Sequence, residues 1–557
     1  MHEFARTATA IAATGSTLEK TRLLGAYLRG LEPEALRRAA IYMTGQPYGR
    51  AERKRLSLGW VAIGRAVDRL SGLPREELAR IYRRHADVGD SAAEALQGRT
   101  HPRPTSIVEA HAELEQIRTA PTGAEKEDRL VALLDRLEAV EAGYLLKVLT
   151  FELRIGLQEG LVEAALASAF DIPLDTVRRV HMLTGDIGET ALRCREGRIA
   201  DARLTLFVPI RFMLASALDT AEDAFSKMAT SPIWTEEKYD GVRCQLHLDD
   251  GRAELFSRDL KETAGAFPEL VEAAAAVDHE LILDGEVLAA RGDQVLPFFE
   301  LQRRLGRKQV SAKMREQVPL VLVVFDLLHL DGLAVMERPL RERRRLLEDL
   351  DLRPPFLLAR VEEAASIEEL ERIFEETRAR GNEGVMIKDP GSAYTPGRRG
   401  GAWLKLKRPL ATLDVVVTAV EWGHGKRRGV LSDYTFAVRD DAGGRLLNVG
   451  KAYTGLTDAE IEERTRYFLE HTISDQGWGR LVEPELVIEV AFDSIQRSTR
   501  HRSGYALRFP RIVRLRPDKP VAEIDTLARV EELYRRFFAR FTPLTDVADV
   551  PEPEPRG

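Results

Sequence analysis

Cysteine is nearly absent from this chain: Cys194 and Cys244 are the only two in 557 residues. Two cysteines exclude a disulfide framework and a four-cysteine zinc site, and they point to a reducing compartment. Long apolar runs are missing as well. No stretch of about 18 or more apolar residues occurs, so nothing reads as a transmembrane helix. The opening MHEFARTATAIAATGST is too short and broken in its apolar part to read as a secretory signal. Positive charge is not in excess either. The formal net charge is −7, so any surface for a polyanion must be a local patch. Lysine is the last scarcity, with 15 lysines against 67 arginines. Arginine serves as well as lysine for a solvated charge. Only a lysine amine gives up its proton readily enough to act as a nucleophile.

Length and texture then organise the chain. A chain of 557 residues exceeds one hydrophobic core, and three or so domains are expected. Residues 1–205 read as all-helical. Ser16 and Glu19 stand at capping-box spacing, and Leu18, Leu23, Leu24, Tyr27 and Leu28 follow with a helical period. The stretch DRLVALLDRLEAVEAGYLLKVLTFEL reads as a long helical run broken near Gly143. From pattern alone this part is a helical scaffold. Near residue 205 the texture changes, and Pro209 in LTLFVPIRFMLA breaks the helical pattern. Residues 206–412 read as an α+β domain built on antiparallel sheet. Val242, Cys244, Leu246 and Leu248 alternate there with Arg243, Gln245 and His247, as in a strand. RPLRERRRLLEDL and SIEELERIFEETRAR read as helices between strands. Residues 413–540 read as an all-β domain with Gly turns, which a small OB-fold barrel fits. Residues 541–557, rich in Pro and acid, read as a disordered tail.

One of the scarce lysines, Lys238, precedes an Asp-Gly pair in EEKYDGVR, and the middle domain gathers companions for it. FSRDLKE carries Arg258. LILDGEVLA places Glu286 at a strand end behind Asp284-Gly285. VVFDLLHLDG sets Phe325 at the end of an apolar strand. NEGVMIKDP holds Glu383 and, five residues on, Lys388. GRRGGAWLKLKRP supplies Arg399, Lys405 and Lys407, the two lysines on one face of a strand. These are the parts of nucleotidyl transfer. Nearby cations favour the neutral, nucleophilic form of a lysine. Attack on the α-phosphorus of a triphosphate needs cations against the developing charge. Mg²⁺ binds through few carboxylates, which Glu286 and Glu383 would supply. Phe325 offers an aromatic platform for a purine. Singly, each piece has an ordinary explanation: a β-turn after a solvated lysine, a hairpin turn at DGE, a lysine-protected edge strand at LKLKR, a core phenylalanine. Their order and spacing together are specific.

That order resembles the ATP-dependent DNA ligases, covalent nucleotidyltransferases, in their three-domain archaeal and eukaryotic form. EEKYDGVR is similar to their nucleophile motif, and FSRD, LDGEV, VVFDLLHLDG, NEGVMIK and WLKLKR are similar to the motifs that follow. LRFPRIVRLRPDKP, from Leu507, resembles the last motif, in the OB domain. FVPIRFMLA resembles the start of the adenylation domain, and LLKVLTFELRIGLQEGLVEAAL the helical DNA-binding domain. The resemblance covers residues 1–540. It implies that Lys238 is the site of adenylation, that Glu236 contacts adenine and that Phe325 stacks on it. It implies ribose, phosphate or metal contacts for Arg243, Arg258 and Glu286, with Glu383 as a metal-site carboxylate. Arg399 and Lys405, with Lys407 beside them, would meet phosphate. Arg508, Arg511, Lys519 and Asp518 would belong to the motif that orients pyrophosphate. QRRLGRK, after Phe299, matches loosely, and no site is assigned there.

The resemblance also implies the partners: ATP as cosubstrate, Mg²⁺ with Mn²⁺ as alternative, and nicked duplex DNA. It implies a monomer without membrane attachment, in a prokaryotic cytoplasm at the nucleoid, with any sliding clamp unassigned. SIQRSTRHRSGYALRFPRIVRLRPDK holds seven arginines and one lysine against one aspartate, a patch suited to phosphates. RNA ligases and mRNA-capping guanylyltransferases share the lysine chemistry, but the helical domain argues against both. NAD-dependent ligases share K-x-D-G and normally carry a cysteine-ligated zinc module that this chain cannot form. A non-catalytic nick-binding protein has no use for Lys238, Glu286, Glu383 and Lys405 together.

Overall fold

The computed structural model describes residues 1–557 except 86, 229–231, 293, 308, 424–426, 428, 442–443 and 539–557. The tail expected to be disordered, 541–557, lies outside the described residues. The chain divides into two compact units, Met1–Arg211 and a second from Phe212 onward.

Among the described residues the first unit is built of twelve α-helices around one core. Ser16 Oγ accepts the Glu19 N–H at 3.3 Å and starts the helix Thr17–Arg29. Leu24 and Leu28 are buried, whereas Leu18 is 83% exposed and falls outside the expected apolar stripe. The helical run expected to break at Gly143 breaks earlier. Gly123–Asp135 and Ala139–Leu149 are separate helices, and Gly143 lies inside the second. A Cβ at Gly143 would sit 2.6 Å from the carbonyl oxygen of Gly89, in the helix Val88–Ala95. The glycine permits close helix contact and does not end a helix.

His111 is buried in this core, its Nδ1 3.1 Å from the Tyr42 hydroxyl and its ring packed against Tyr48. Burial, with Arg38 nearby, pushes its pKa from 6.5 down to about 4. A depressed value means that the fold binds the proton less well than the unfolded chain. The neutral ring's contribution is therefore complete above pH 6.5 and is lost as pH falls toward 4. The full loss is about 3 kcal/mol. Thermal melts of the parent and His111→Gln between pH 7.5 and 4.5 test this. The parent should lose more stability than the variant across that range, and parallel acid slopes would exclude His111 as the cause.

Among the described residues the second unit begins with twelve strands: β1 (Leu214–Leu218), β2 (Ile233–Lys238), β3 (Val242–Asp249), β4 (Arg252–Ser257), β5 (Leu281–Arg291), β6 (Gln294–Val295), β7 (Leu320–Leu330), β8 (Leu333–Ala334), β9 (Phe356–Leu358), β10 (Val361–Ala364), β11 (Gly384–Lys388) and β12 (Arg399–Lys407). They form two sheets. One runs β1-β12-β11-β2-β10. The other runs β4-β3-β5-β7-β8, with β6 on β5 and β9 on β7. Pairing is antiparallel except for β1–β12 and β7–β9. The expected helices are present at Leu340–Glu348 and Ile367–Ala379, the second capped by Ser366.

In β3, expected as a strand, Gln245 and His247 are as fully buried as their apolar neighbours. Both faces of this inner strand are covered. Glu286 and Phe325 were expected at strand ends but lie within the 11-residue strands β5 and β7, and Asp284-Gly285 makes no turn. The LKLK segment is no edge strand, because β12 lies between β1 and β11.

The strands that follow are β13 (Ala411–Trp422), β14 (Leu431–Arg439), β15 (Leu446–Ala452), β16 (Thr472–Asp475), β17 (Gly479–Val482), β18 (Val487–Phe492), β19 (Ser494–Arg497), β20 (Tyr505–Arg508) and β21 (Arg511–Leu515). The long strand β13 pairs with β14 on one side and with β17 and β18 along the other. Its register shifts at two places against β14. Such shifts bend a strand and let one sheet curl around a core, here including Val415, Val417, Phe436 and Val490. The domain is not purely β: helices Asp458–Glu470 and Leu527–Phe538 belong to it.

Candidate active site

Lys238 is the last residue of β2, with its side chain 20% exposed. The turn after it passes against β5: a Cβ at Gly241 would sit 2.4 Å from the Val287 carbonyl oxygen. Only glycine fits that approach, which is why the Asp-Gly pair follows the lysine. Across β2 and β11, Lys238 lies opposite Gly384. The Glu383 N–H donates to the Lys238 carbonyl at 2.9 Å, and the Lys238 ammonium pairs with the Glu383 carboxylate. From the other sheet, Arg243 of β3 stands opposite Glu286 of β5. Strand register in both sheets thus delivers side chains to one place.

The charges there act on one another. Burial pushes the Glu286 carboxyl up to about 8, opposed by Lys238 and Arg243 and reinforced by Asp284 and Glu383. Burial also presses Glu383 upward, but Lys238, Lys407 and Arg508 hold it below the usual carboxylate range. Lys405 is lowered by burial and by the fields of Lys238, Lys407, Arg399 and Arg258. Four cations therefore converge on Lys405, the exposed Arg258 and Arg399 among them. The Glu383 carboxylate, whose field helps raise Glu286, forms with it a donor set suited to a hard divalent cation with phosphate oxygens completing its shell.

Beside this cluster lies an aromatic box. Glu236 is buried and hydrogen-bonded by the buried Lys388 ammonium at 2.6 Å. Burial raises the Glu236 carboxyl even against Lys388. Lys388 lies 4.5 Å from the Phe325 ring centre and 4.2 Å from that of Trp403. Arg243 lies 4.8 Å from Phe212 and 5.3 Å from Phe325. Sequence reasoning left Lys388 without a role. Period-two alternation puts Glu236 and Lys238 on one face of β2, but the register of β11 against β2 is what brings Lys388 to that same face.

The C-terminal β domain contributes unevenly. Arg508 donates to Asp240 at 2.6 Å, and its guanidinium lies 4.7 Å from the Phe298 ring. Lys407 pairs with Asp493. Arg511 is 3.9 Å from the same aspartate. Lys519 and Asp518 are engaged elsewhere in that domain, Lys519 with Asp414 at 2.6 Å and Asp518 with Arg516 at 2.8 Å. Neither makes a described contact with Lys238 or its neighbours. Among the described residues no helix is long and apolar enough to cross a membrane.

Comparison with known proteins adds the family. The family model for an ATP dependent DNA ligase domain matches residues 212–407. Those for the DNA ligase N terminus and the ATP dependent DNA ligase C-terminal region match 1–167 and 427–519. A probable DNA ligase of Koribacter versatilis is 45% identical, covering 97% of this chain and 98% of that protein. A DNA ligase of Archaeoglobus fulgidus is 37% identical, covering 96% and 98%. Among solved structures, one described as Pmar-Lig_PreS3 aligns with a TM-score of 0.60 over 92% of this chain and 99% of that one. At 18% identity it speaks for the fold alone.

Proposed function

This chain belongs to the ATP-dependent DNA ligases, and on that premise we propose which of its residues carry each part of the reaction. The family's route is general. A lysine attacks the α-phosphorus of ATP, forming lysyl-AMP and releasing pyrophosphate. The AMP passes to the 5′-phosphate at a break in DNA. The 3′-hydroxyl then attacks that phosphate, joins the strand and expels AMP.

Lys238 is the nucleophile. The observation that carries this is its position against Glu383, beside Glu286 and the cations that converge on Lys405. Before attack the amine must leave its ion pair with Glu383 and lose a proton. Lys405, with Lys407, Arg399 and Arg258, faces the phosphates and offsets the charge that develops on them. Glu286 and Glu383 would hold Mg²⁺, or Mn²⁺ in its place, which when bound neutralises phosphate oxygens. Phe325 carries the adenine face. Glu236, held by Lys388, accepts from the adenine amino group, and this selects adenine over guanine. Arg243 supports the ribose side.

Arg508, paired with Asp240, docks the C-terminal β domain over the nucleotide. Arg511 and Lys519 reach the pyrophosphate only after that domain shifts, which separates adenylation from later steps on DNA. The domains are 1–205, which binds duplex DNA through phosphates, 206–412 and 413–540. The protein acts as a cytoplasmic monomer on nicked duplexes.

Incubation with α-labelled ATP, and in parallel with labelled GTP and NAD⁺, tests the reading. Transfer of label to protein that is alkali-stable and acid-labile, as a lysyl phosphoramidate requires, is expected from ATP with Mg²⁺ and from neither alternative. Label from GTP would indicate guanylyl transfer, and none from any nucleotide would leave a DNA-binding protein.

A further inference from the structure

The buried phenol of Tyr394 has no part in the reaction as described, yet it sits at the centre of a closed network. Its hydroxyl donates to Asp284 Oδ2 at 2.7 Å and accepts the Met213 N–H at 3.0 Å. The same Asp284, fully buried, accepts Arg243 Nε at 3.0 Å and Nη2 at 2.7 Å. Arg243 Nη1 closes the ring by donating to the Met213 carbonyl at 2.8 Å. Met213 is therefore held at both its N–H and its carbonyl. The Tyr394 ring packs edge-on against Trp403, with centroids 5.8 Å apart. Trp403 in turn flanks both Arg243 and Lys388.

This geometry constrains Arg243 strongly. Three of its five donors are committed, and its plane is boxed by Phe212, Phe325 and Trp403. Across the β3–β5 pair its neighbour is Glu286. Removing the phenolic oxygen would leave the buried Met213 N–H without an acceptor and take a charge-assisted hydrogen bond from Asp284. Both groups sit where water cannot replace the loss. Relief comes by movement of Asp284 and Arg243, and hence of the Phe325 face.

We propose that Tyr394 is a positioning residue for nucleotide binding, acting through Asp284 to hold Arg243 and the Phe325 platform in the arrangement that receives ATP. This rests on the placement of ATP given above. Tyr394→Phe tests it, because the ring and its packing on Trp403 remain and only the hydroxyl is lost. The KM for ATP in self-adenylation should rise about tenfold, with the rate at saturating ATP changed much less. Calorimetric titration with ATP in the absence of Mg²⁺ should show the same loss of affinity. That titration reads binding whether or not Lys238 is the nucleophile, so it separates this inference from the wider assignment. Thermal melts accompany both measurements, and the titration is run below the variant's transition. Unchanged ATP affinity overturns the proposal. So does a loss of rate at saturating ATP as large as the rise in KM, which would mark a purely structural hydroxyl.

Discussion

Lys238→Ala should reduce covalent labelling by ATP and the sealing of nicked DNA to background while leaving the protein folded. Lys405 and Lys407 also offer partly exposed amines there, but Lys238 is the amine that directly precedes the Asp240-Gly241 turn and pairs with Glu383. The structural cost of the change is moderate. Lys238 is at a strand end, its side chain is partly exposed, and its recorded ion pair is the one with Glu383. Both side chains of that pair are 20% exposed, so its loss costs more than the ~0–1 kcal/mol of a surface pair, and the melting temperature should fall by several degrees with the cooperative transition retained. The measurement is label transfer beside a thermal melt, with the labelled peptide mapped in the parent. Normal labelling of the variant would place the nucleophile elsewhere. A collapsed melt would show that the loss of activity came from unfolding. Sealing of a nick supplied already adenylated should survive in part, because the missing amine is needed only for the first step.

The next largest effect is expected at the two carboxylates. Glu286→Ala and Glu383→Ala should each lower steady-state sealing by about a hundredfold or more, with the Mg²⁺ requirement shifted to higher concentration. Either carboxylate, facing phosphate oxygens without a cation between them, would repel the substrate, and Glu383 already helps raise the Glu286 carboxyl. The two variants should differ in one respect. Glu383→Ala also frees the Lys238 ammonium from its carboxylate partner, whereas Glu286→Ala leaves that pair in place. A Mg²⁺ titration of both variants decides the matter. If both seal at the parental rate at every concentration, Glu286 and Glu383 are structural carboxylates, and the metal is held by other groups.

Much of the architecture was legible because it is written in local patterns. A capping serine before Glu19, the alternation from Val242 to Leu248 in β3, and Gly-punctuated strands after residue 410 each depend on a few neighbouring residues. The α-helical, α+β and β-rich succession therefore followed from the chain alone. The local details that failed did so for tertiary reasons. Gly143 looked like a helix breaker, but its missing side chain serves a contact with Gly89, fifty-odd residues away in sequence. Leu18 fitted the helical period and faces solvent, because no neighbouring element covers it. The alternation of Gln245 and His247 with apolar residues marked a strand, and only the packing on both faces of β3 buries them.

The candidate site divides the same way. The sequence by itself determined which chemistry is available: a rare lysine before Asp-Gly, two carboxylates, paired lysines in a strand, and the family to which their order belongs. Those are matters of residue type and spacing. The tertiary structure decided who meets whom. It set Glu383 against Lys238 across 145 residues and Arg508 against Asp240 across 268. It seated Lys388 under Phe325, and it engaged Lys519 with Asp414. It also tied Tyr394 to Arg243 through one buried aspartate. Spacing along a chain constrains neighbours within a turn or a strand. Contacts over hundreds of residues depend on how sheets and domains pack, and no local pattern encodes that.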